Sequence, residues 1–501
     1  MILKRLHIET NQTYRFTLKS ILSFLLLCNF GTYGIFAQDR KPNVVFILAD
    51  DLGWADLPIY GNQFNEAPNI TQLAKDGVRF TNAYAASPVC SPSRASIMSG
   101  QYPARVGIND FIPGQWRPYE EVIVPRNRDQ FLRSELVTIG EIMKSGGYET
   151  GYFGKWHLGN KQQHHPLHQG FSEANVGNDH YGTIFDPPRQ VLSGQRFSES
   201  ITDFGTAFIE KNKDKPFFLF LAHYDVHLVL DAETDLIKKY TEKAKVKNYP
   251  SNPVYAAMIE HLDNSVGRIR AKLKELGLEK DTIIIFFSDN GGLRTAGNKG
   301  YVVAESKRYL LEDKKDSLLY IATENTPLRN EKGTVYEGGI RVPLIIKWAG
   351  QSDESSISDE VISSIDFFPT LAEIAQVPLP KEQIIDGKSL FKTLNQSNCE
   401  SDRAVFWHYP VYHHGVPSSA VRKGNWKLIR NLVDSTQYLF DLRDDIGESK
   451  NLIESEPQKT RELSDLLSNW SEEVGAEIPI PNPDFDIKNR AIRKKHPDLK
   501  K

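Results

Sequence analysis

Asn43-Val44-Val45-Phe46-Ile47-Leu48-Ala49-Asp50-Asp51 is the stretch that decides the fold. An unbroken apolar run from Val44 to Ala49, rich in β-branched side chains, shows neither the alternation of a half-exposed strand nor the polar face of a surface helix. It predicts a strand buried on both faces, as in a parallel sheet covered by helices. Residues 148–153, 216–222 and 282–287 share its length and enrichment, with near-continuous apolar character in all but the first of these. Between them lie segments of helical spacing at 138–144 and 255–276, the second with Met258, His261, Leu262, Val266 and Ile269 on one face. The pattern predicts an α/β domain with a large, mostly parallel sheet flanked by helices.

Each strand hands over to residues that carry chemistry. The first ends in Asp50-Asp51, the second in Gly154-Lys155-Trp156-His157, the third in His223-Tyr224-Asp225-Val226-His227 and the fourth in Ser288-Asp289-Asn290-Gly291-Gly292. Open α/β sheets bind ligands outside the carboxyl ends of their strands, so these groups are expected to converge on one polar site. Asp50, Asp51, Asp289 and Asn290 offer only oxygens, a hard set that selects calcium or magnesium over zinc. Taken alone, Asp50-Asp51 reads equally well as a helix N-cap pair, and the acid-amide pair at a second strand end favours the metal. Seven of the thirteen histidines lie between His157 and His227, which marks the second and third strand ends as a working surface. His164, His165 and His168 fall in a polar loop and read as solvated bystanders.

The sharpest local feature is Cys90-Ser91-Pro92-Ser93-Arg94-Ala95-Ser96-Ile97-Met98-Ser99-Gly100, a short helix bracketed by a first-turn proline and a closing glycine. Cys90 then stands at the positive helix end, where free amides favour an anion and Arg94 adds a forked donor one turn on. A buried structural cysteine ahead of a helix is the plainer alternative.

The chain has 501 residues, 40% hydrophobic and 25% charged, enough for two or three domain-sized units and incompatible with disorder. Against 64 acidic residues stand 61 basic ones, a net charge of −3 that supplies no global field for nucleic acid, and no nucleic-acid partner is expected. Lys4, Arg5, Arg15 and Lys19 precede the apolar residues 21–28 and a small-residue stretch ending at Ala37, which reads as a signal peptide over 1–37. It is too short to span a bilayer comfortably, so export to the periplasm without stable membrane insertion is expected. Leu25-Leu26-Leu27-Cys28 leaves extracellular release or a lipid anchor as alternatives. A composition shift after Asp386 to Leu390 and a polar stretch at 395–402 divide a catalytic domain, 38–395, from a smaller C-terminal domain, 396–501. There, 404–407, 419–422, 426–429 and 437–442 predict a small antiparallel sheet with a helix at 458–470, and a basic, solvated tail from Arg490. Three cysteines exclude a disulfide framework, and Cys399 is expected as a passive thiol.

Cys90-x-Pro-x-Arg94, extended through Ser99-Gly100, resembles the signature of the type I sulfatases, within the alkaline phosphatase superfamily. The resemblance recurs in order: residues 43–53 are similar to that family's first strand and metal-binding aspartates, and residues 154–159 to its second signature. Residues 288–292 resemble its second pair of metal ligands, and residues 330–339 the loop carrying its active-site lysine, here Lys332. It covers about residues 40 to 470. The resemblance implies that a formylglycine-generating enzyme converts Cys90 to formylglycine. One calcium is implied on Asp50, Asp51, Asp289, Asn290 and the modified Cys90, since zinc members place a histidine where Asn290 stands. Arg94, Lys155 and Lys332 would neutralise charge on the sulfuryl oxygens, Asp289 would assist the nucleophile, His227 would act as general acid and His157 as general base. The third-strand loop departs from the family form, with Val226 and Val229 where prolines are usual, which leaves His223 as an alternative to His227. The implied substrate is a sulfated carbohydrate, with ulvan or carrageenan polymers ahead of glycosaminoglycans. Trp407, His408, Tyr409, Tyr412, His413 and His414 could stack on and hydrogen-bond a sugar, His408 and His413 foremost, or form an ordinary buried strand with a polar turn. A phosphomonoesterase or phosphodiesterase, or a non-catalytic glycan-binding protein, are the competing functions.

Overall fold

The structure, a computed structural model, describes residues 41–297, 300–311, 317–348, 352, 354–391 and 402–494. Strand β1 (Asn43–Ala49) lies inside an eight-stranded sheet with β2 (Val78–Phe80), β3 (Glu149–Gly154), β4 (Glu173–Val176), β5 (Phe217–Ala222), β6 (Thr282–Ser288), β7 (Leu344–Trp348) and β8 (Ser356–Ser358), in the order β8-β2-β7-β6-β1-β5-β3-β4. The four strands expected from sequence are contiguous in it. β1 pairs in parallel with β5 and β6, and β3 with β4 and β5, whereas β7 runs antiparallel to both its neighbours.

Strand alternation divides the core in two. Val45, Ile47 and Ala49 face helices α1 (Pro68–Lys75), α4 (Phe197–Lys211) and α5 (Pro253–Glu275) through Leu73, Phe204 and Val266, among others. Val44, Phe46 and Leu48 face α2 (Cys90–Ser99), α3 (Ile139–Ser145) and α6 (Phe367–Ile374) through Ile97, Met143 and Phe368. At about 1.5–3 kcal/mol for each large side chain removed from water, burial on both faces makes β1 a rigid base for the two acids at its end. His261 departs from expectation: it leaves the apolar stripe of α5 and pairs with the Glu233 carboxylate.

Antiparallel strands β9 (Ala404–Tyr409), β10 (Ser418–Lys423), β11 (Trp426–Asn431) and β12 (Gln437–Asp441) form the expected second sheet, with α7 (Pro457–Glu473) packed on it through Leu463, Leu467 and Trp470. Its other face shares a core with Tyr84, Val89, Val335 and Ile340, and residues Pro42–Lys501 make one compact unit. The signal segment 1–37, the boundary at 395 and Cys399 lie outside the described residues. The chain after Arg490 is exposed but tied down as far as Lys494: the Lys494 amide donates to the Trp116 carbonyl at 2.9 Å, and Arg490 pairs with Glu121 at 3.1 Å. Among the described residues no helix is long and apolar enough to cross a membrane.

Candidate active site

Helix α2 begins at Cys90, behind an extended Val89, and no side chain caps its first turn. The free amides of that turn favour negative charge beside the thiol. At the other end Gly100 adopts φ 71° and its amide closes on the Ser96 carbonyl. Cys90 is buried, with its Sγ 3.5 Å from Asp50 Oδ1, 3.3 Å from Lys332 Nζ and 3.7 Å from Lys155 Nζ. Asp50 and Asp51 leave the end of β1, Lys155 that of β3, and Asp289 and Asn290 that of β6. Lys155 can stand there because Gly154, at φ 128°, lets β3 close on β5: a Cβ would lie 1.9 Å from the Ala222 carbonyl oxygen. Asp51, His157 and Asn330 hold the left-handed region at φ 62°, 61° and 63°, a conformational cost carried within the site's own loops.

Opposite charges interlock at short range. Lys155 Nζ donates to Asp50 Oδ2 at 2.6 Å, Lys332 Nζ to Asp51 Oδ1 at 2.6 Å, and Arg94 Nε to Asp289 Oδ2 at 2.9 Å. Burial disfavours ionised Asp50, but Lys155, with His227 and Arg94, outweighs it and holds this carboxyl well below the usual range. Asp51 is held low in the same way, chiefly by Lys332 against burial. Asp289 differs: burial, then the Asp50 charge, push it up to about 6 despite Arg94. Burial likewise raises the Cys90 thiol, so an unmodified cysteine here is a poor thiolate nucleophile.

The histidines separate into site and scaffold. His227 Nε2 lies 3.7 Å from Asp51 Oδ2, while its Nδ1 donates to the Leu228 carbonyl at 2.6 Å. Burial, then Lys155, lower it to about 4. His223 lies on the scaffold side, fully buried, with Nε2 3.2 Å from Ser265 Oγ on α5. His157 Nε2 donates to the Ile112 carbonyl at 2.7 Å, leaving Nδ1 as a buried lone pair without a hydrogen-bond partner. Burial, then Lys155, hold His157 well below its ordinary range, so it stands neutral and able to accept a proton.

Two buried oxygens, Asp51 Oδ2 and Asn290 Oδ1, have no hydrogen-bond partner among the described residues. Ligand atoms of Asp50, Asp51, Cys90 and His227 lie within 4.8 Å of one another. Orphaned oxygens amid carboxylates fit a hard cation, and Asp50, Asp51, Asp289 and Asn290, with the modified Cys90, are the residues that would hold it. Asp289 already receives Arg94 on Oδ2 and the Asp51 amide on Oδ1, at 3.2 Å.

In the second sheet the two candidate sugar-binding histidines part. His408 is 3% exposed, and Ser419 Oγ at 2.8 Å and the Glu477 carbonyl at 3.0 Å occupy both its ring nitrogens. It is a strand residue satisfied by the fold, with no nitrogen left for a sugar. Trp407, likewise buried, donates to the Ala85 carbonyl at 2.8 Å. His413 lies against the loop that carries Lys332: its ring packs on Gly333, whose φ of 80° and missing side chain make room, since a Cβ would fall 2.2 Å from His413 Nδ1.

Sequence reasoning missed the residues that hold these groups in place. Ser91 Oγ accepts the Ile112 amide at 3.0 Å, and Ile112 in turn orients His157, so the nucleophile helix aligns the base through one residue. Arg196, buried at the N-cap of α4, is bound to the Asp225 carboxylate in the third-strand loop. Lys427 of β11 lies 2.8 Å from Glu337 and 2.8 Å from Glu448, all three buried, and Glu448 accepts the Glu337 amide at 2.7 Å. Glu337 closes the loop that carries Lys332. No local pattern marks such pairs, because their members lie far apart in sequence.

Two lysines and an arginine turned inward onto one buried position call for an anion, and the class so defined is a hydrolase of charged esters. The Sulfatase family model matches residues 42–377, and a second, N-sulphoglucosamine sulphohydrolase, C-terminal, matches residues 330–473. The chain belongs to the Sulfatase family and is a sulfuric ester hydrolase. A sulfatase of Formosa agariphila is 30% identical, with 86% of this chain and 88% of that protein covered. The N-acetylgalactosamine-6-sulfatase of Rattus norvegicus is 29% identical over 80% of this chain and 74% of its own length. Among solved structures, Ps i-CgsB in complex with k-i-k-neocarrahexaose superposes with a TM-score of 0.71 at 26% identity, covering 89% of this chain and 95% of that one.

Proposed function

We propose that this chain removes sulfate from a carbohydrate, a sulfated polysaccharide or its oligosaccharides, with carrageenan- or ulvan-type polymers ahead of glycosaminoglycans. The observation that carries the reading is the convergence of Lys155, Lys332 and Asp50 on Cys90 at the start of α2. The neocarrahexaose bound by Ps i-CgsB supports a saccharide substrate.

Converted to formylglycine, position 90 would supply a hydrated aldehyde, one hydroxyl for attack on sulfur and one for later release of sulfate. A calcium held by Asp50, Asp51, Asp289, Asn290 and the modified Cys90 would supply Lewis-acid stabilisation of the sulfuryl oxygens. Lys155 and Lys332 orient the sulfuryl group and offset its charge from fixed positions that need no reorganisation. Asp289, raised to about 6, can take the proton of the attacking hydroxyl, and Arg94 fixes its orientation. His227, its Nδ1 committed to Leu228, has Nε2 to offer a leaving oxygen. An anionic ester beside it would counter Lys155 and restore the proton that the acid role requires. The free Nδ1 of His157 suits it to take the remaining hydroxyl proton so that sulfate departs.

Export through the segment 1–37 would bring the protein to polymer fragments in the periplasm, and conversion of Cys90 would need a formylglycine-generating enzyme. The test is sulfate release from a panel of defined carrageenan, ulvan and glycosaminoglycan oligosaccharides, with matched phosphate esters as controls. Release from at least one carbohydrate sulfate is expected; phosphate esters cleaved with comparable efficiency would contradict the reading.

A further inference from the structure

Beside His227 the third-strand loop bounds a cavity of 530 Å³ lined by Asp179, His180, Tyr224, Val229, Asp231 and Ala304, among others. Its size is that of a small-molecule site. Tyr224 joins it to the reaction centre. The Tyr224 ring lies 5.0 Å from that of His227, and Lys155 Nζ stands 5.3 Å from its centroid. His180 Nε2 donates to the His227 carbonyl at 3.0 Å, so the cavity wall is tied to the backbone of the acid. A general acid at His227 requires the departing oxygen, and the ring that bears it, on this side of the sulfuryl group.

The lining has a definite charge. Asp179 uses Oδ1 on the His180 amide, at 2.7 Å, and has no basic partner among the described residues. Asp231 Oδ1 is buried without a hydrogen-bond partner, 3.8 Å from Lys307 Nζ. Arg196 is bound to Asp225 and to the Asp231 carbonyl, and Lys155, on the site side of the Tyr224 ring, is bound to Asp50. Carboxylate oxygens accept hydroxyl hydrogens well and repel a second anion, while Val229, 48% exposed, and Tyr224 offer surface to the apolar face of a ring.

We propose that this cavity receives the leaving-group ring, and that Asp179 and Asp231 select esters whose leaving ring bears free hydroxyls and no second anionic group. The inference rests on the sulfatase reading above and assigns its specificity.

The experiment compares kcat/KM for 4-nitrophenyl sulfate and for the same ester carrying a ring carboxylate, in the wild type, Asp179→Asn, Asp231→Asn and the double variant. The ratio of the two substrates cancels their intrinsic reactivity. Removing both charges is expected to raise the anionic-to-neutral ratio about tenfold, mostly through KM, and Asp179→Asn alone about threefold. An unchanged ratio in a double variant of wild-type Tm overturns the proposal. Should the double variant fail to fold, an unchanged ratio in the exposed Asp179→Asn variant overturns it equally. A wild type that releases sulfate from neither ester nor any oligosaccharide of the panel overturns the sulfatase reading and the proposal with it. One that desulfates an oligosaccharide bearing a second anionic group on its leaving ring as fast as one without overturns the proposal alone.

Discussion

Lys332 Nζ lies 3.3 Å from Cys90 Sγ while donating to Asp51 Oδ1 at 2.6 Å. One ammonium therefore joins the nucleophile to the carboxylate whose other oxygen has no hydrogen-bond partner among the described residues. Lys332→Ala removes a fixed charge from the place where negative charge develops. A fall in kcat of about 10²–10³ with a smaller change in KM is expected, read by steady-state kinetics on an aryl sulfate. A change in KM alone would mean that Lys332 only binds substrate.

For the metal, the unpartnered Asp51 Oδ2 and Asn290 Oδ1 predict one tightly bound calcium per chain by elemental analysis. Chelation should abolish turnover, and calcium should restore it where zinc does not. Two zincs per chain would contradict the ligand assignment, and Asp51→Asn should lower both metal content and activity.

Leaving groups separate the two site histidines. His227→Ala should lose most activity on alkyl sulfates, whose alcohols need a proton, and much less on aryl sulfates. His157→Ala should affect both alike, since its lone pair serves the later step. Equal losses in His227→Ala would remove it as the acid, and His223, bonded to Ser265 within the core, should show no such differential.

Much of this was legible in the sequence because the signals were local. A strand buried on both faces writes a near-continuous apolar run, as three of the four expected strands do, and all four hand their next residues to the same edge of the sheet. Strands Val78–Phe80 and Ser356–Ser358 are too short to leave a period. Leu344–Trp348 runs against its neighbours, which apolar content does not encode. His408 and His413 looked alike in sequence, yet one lies within a strand and the other on the turn that meets Gly333. Partners such as Lys427 with Glu337 and Glu448 are set by topology alone.

That buried cluster carries a stability prediction. Lys427→Ala removes the cation that Glu337 and Glu448 share, leaving Glu337 with Arg341 at 3.2 Å and the buried Glu448 carboxylate with no ion-pair partner among the described residues, and should cost about 3–5 kcal/mol, read by denaturant unfolding. Burial, with the Glu337 charge added and Lys427 opposing, raises Glu448 to about 7. Its folded value lies above the ordinary carboxylate range, so the folded state binds the extra proton. Stability from this group is then present at low pH and lost as pH rises toward and through about 7. Glu448→Gln should flatten that decline in Tm between about pH 5 and 8; a parallel Tm profile would contradict the assignment.

The most direct measurement is the mass of the Cys90 peptide from protein whose turnover of a sulfate ester has been recorded. Burial makes the native thiol a poor nucleophile, while the cations around it suit an anionic ester. The account predicts that active preparations carry the aldehyde at position 90, that activity scales with the converted fraction, and that Cys90→Ala is inactive. Full activity in protein bearing only an intact Cys90 thiol would contradict it.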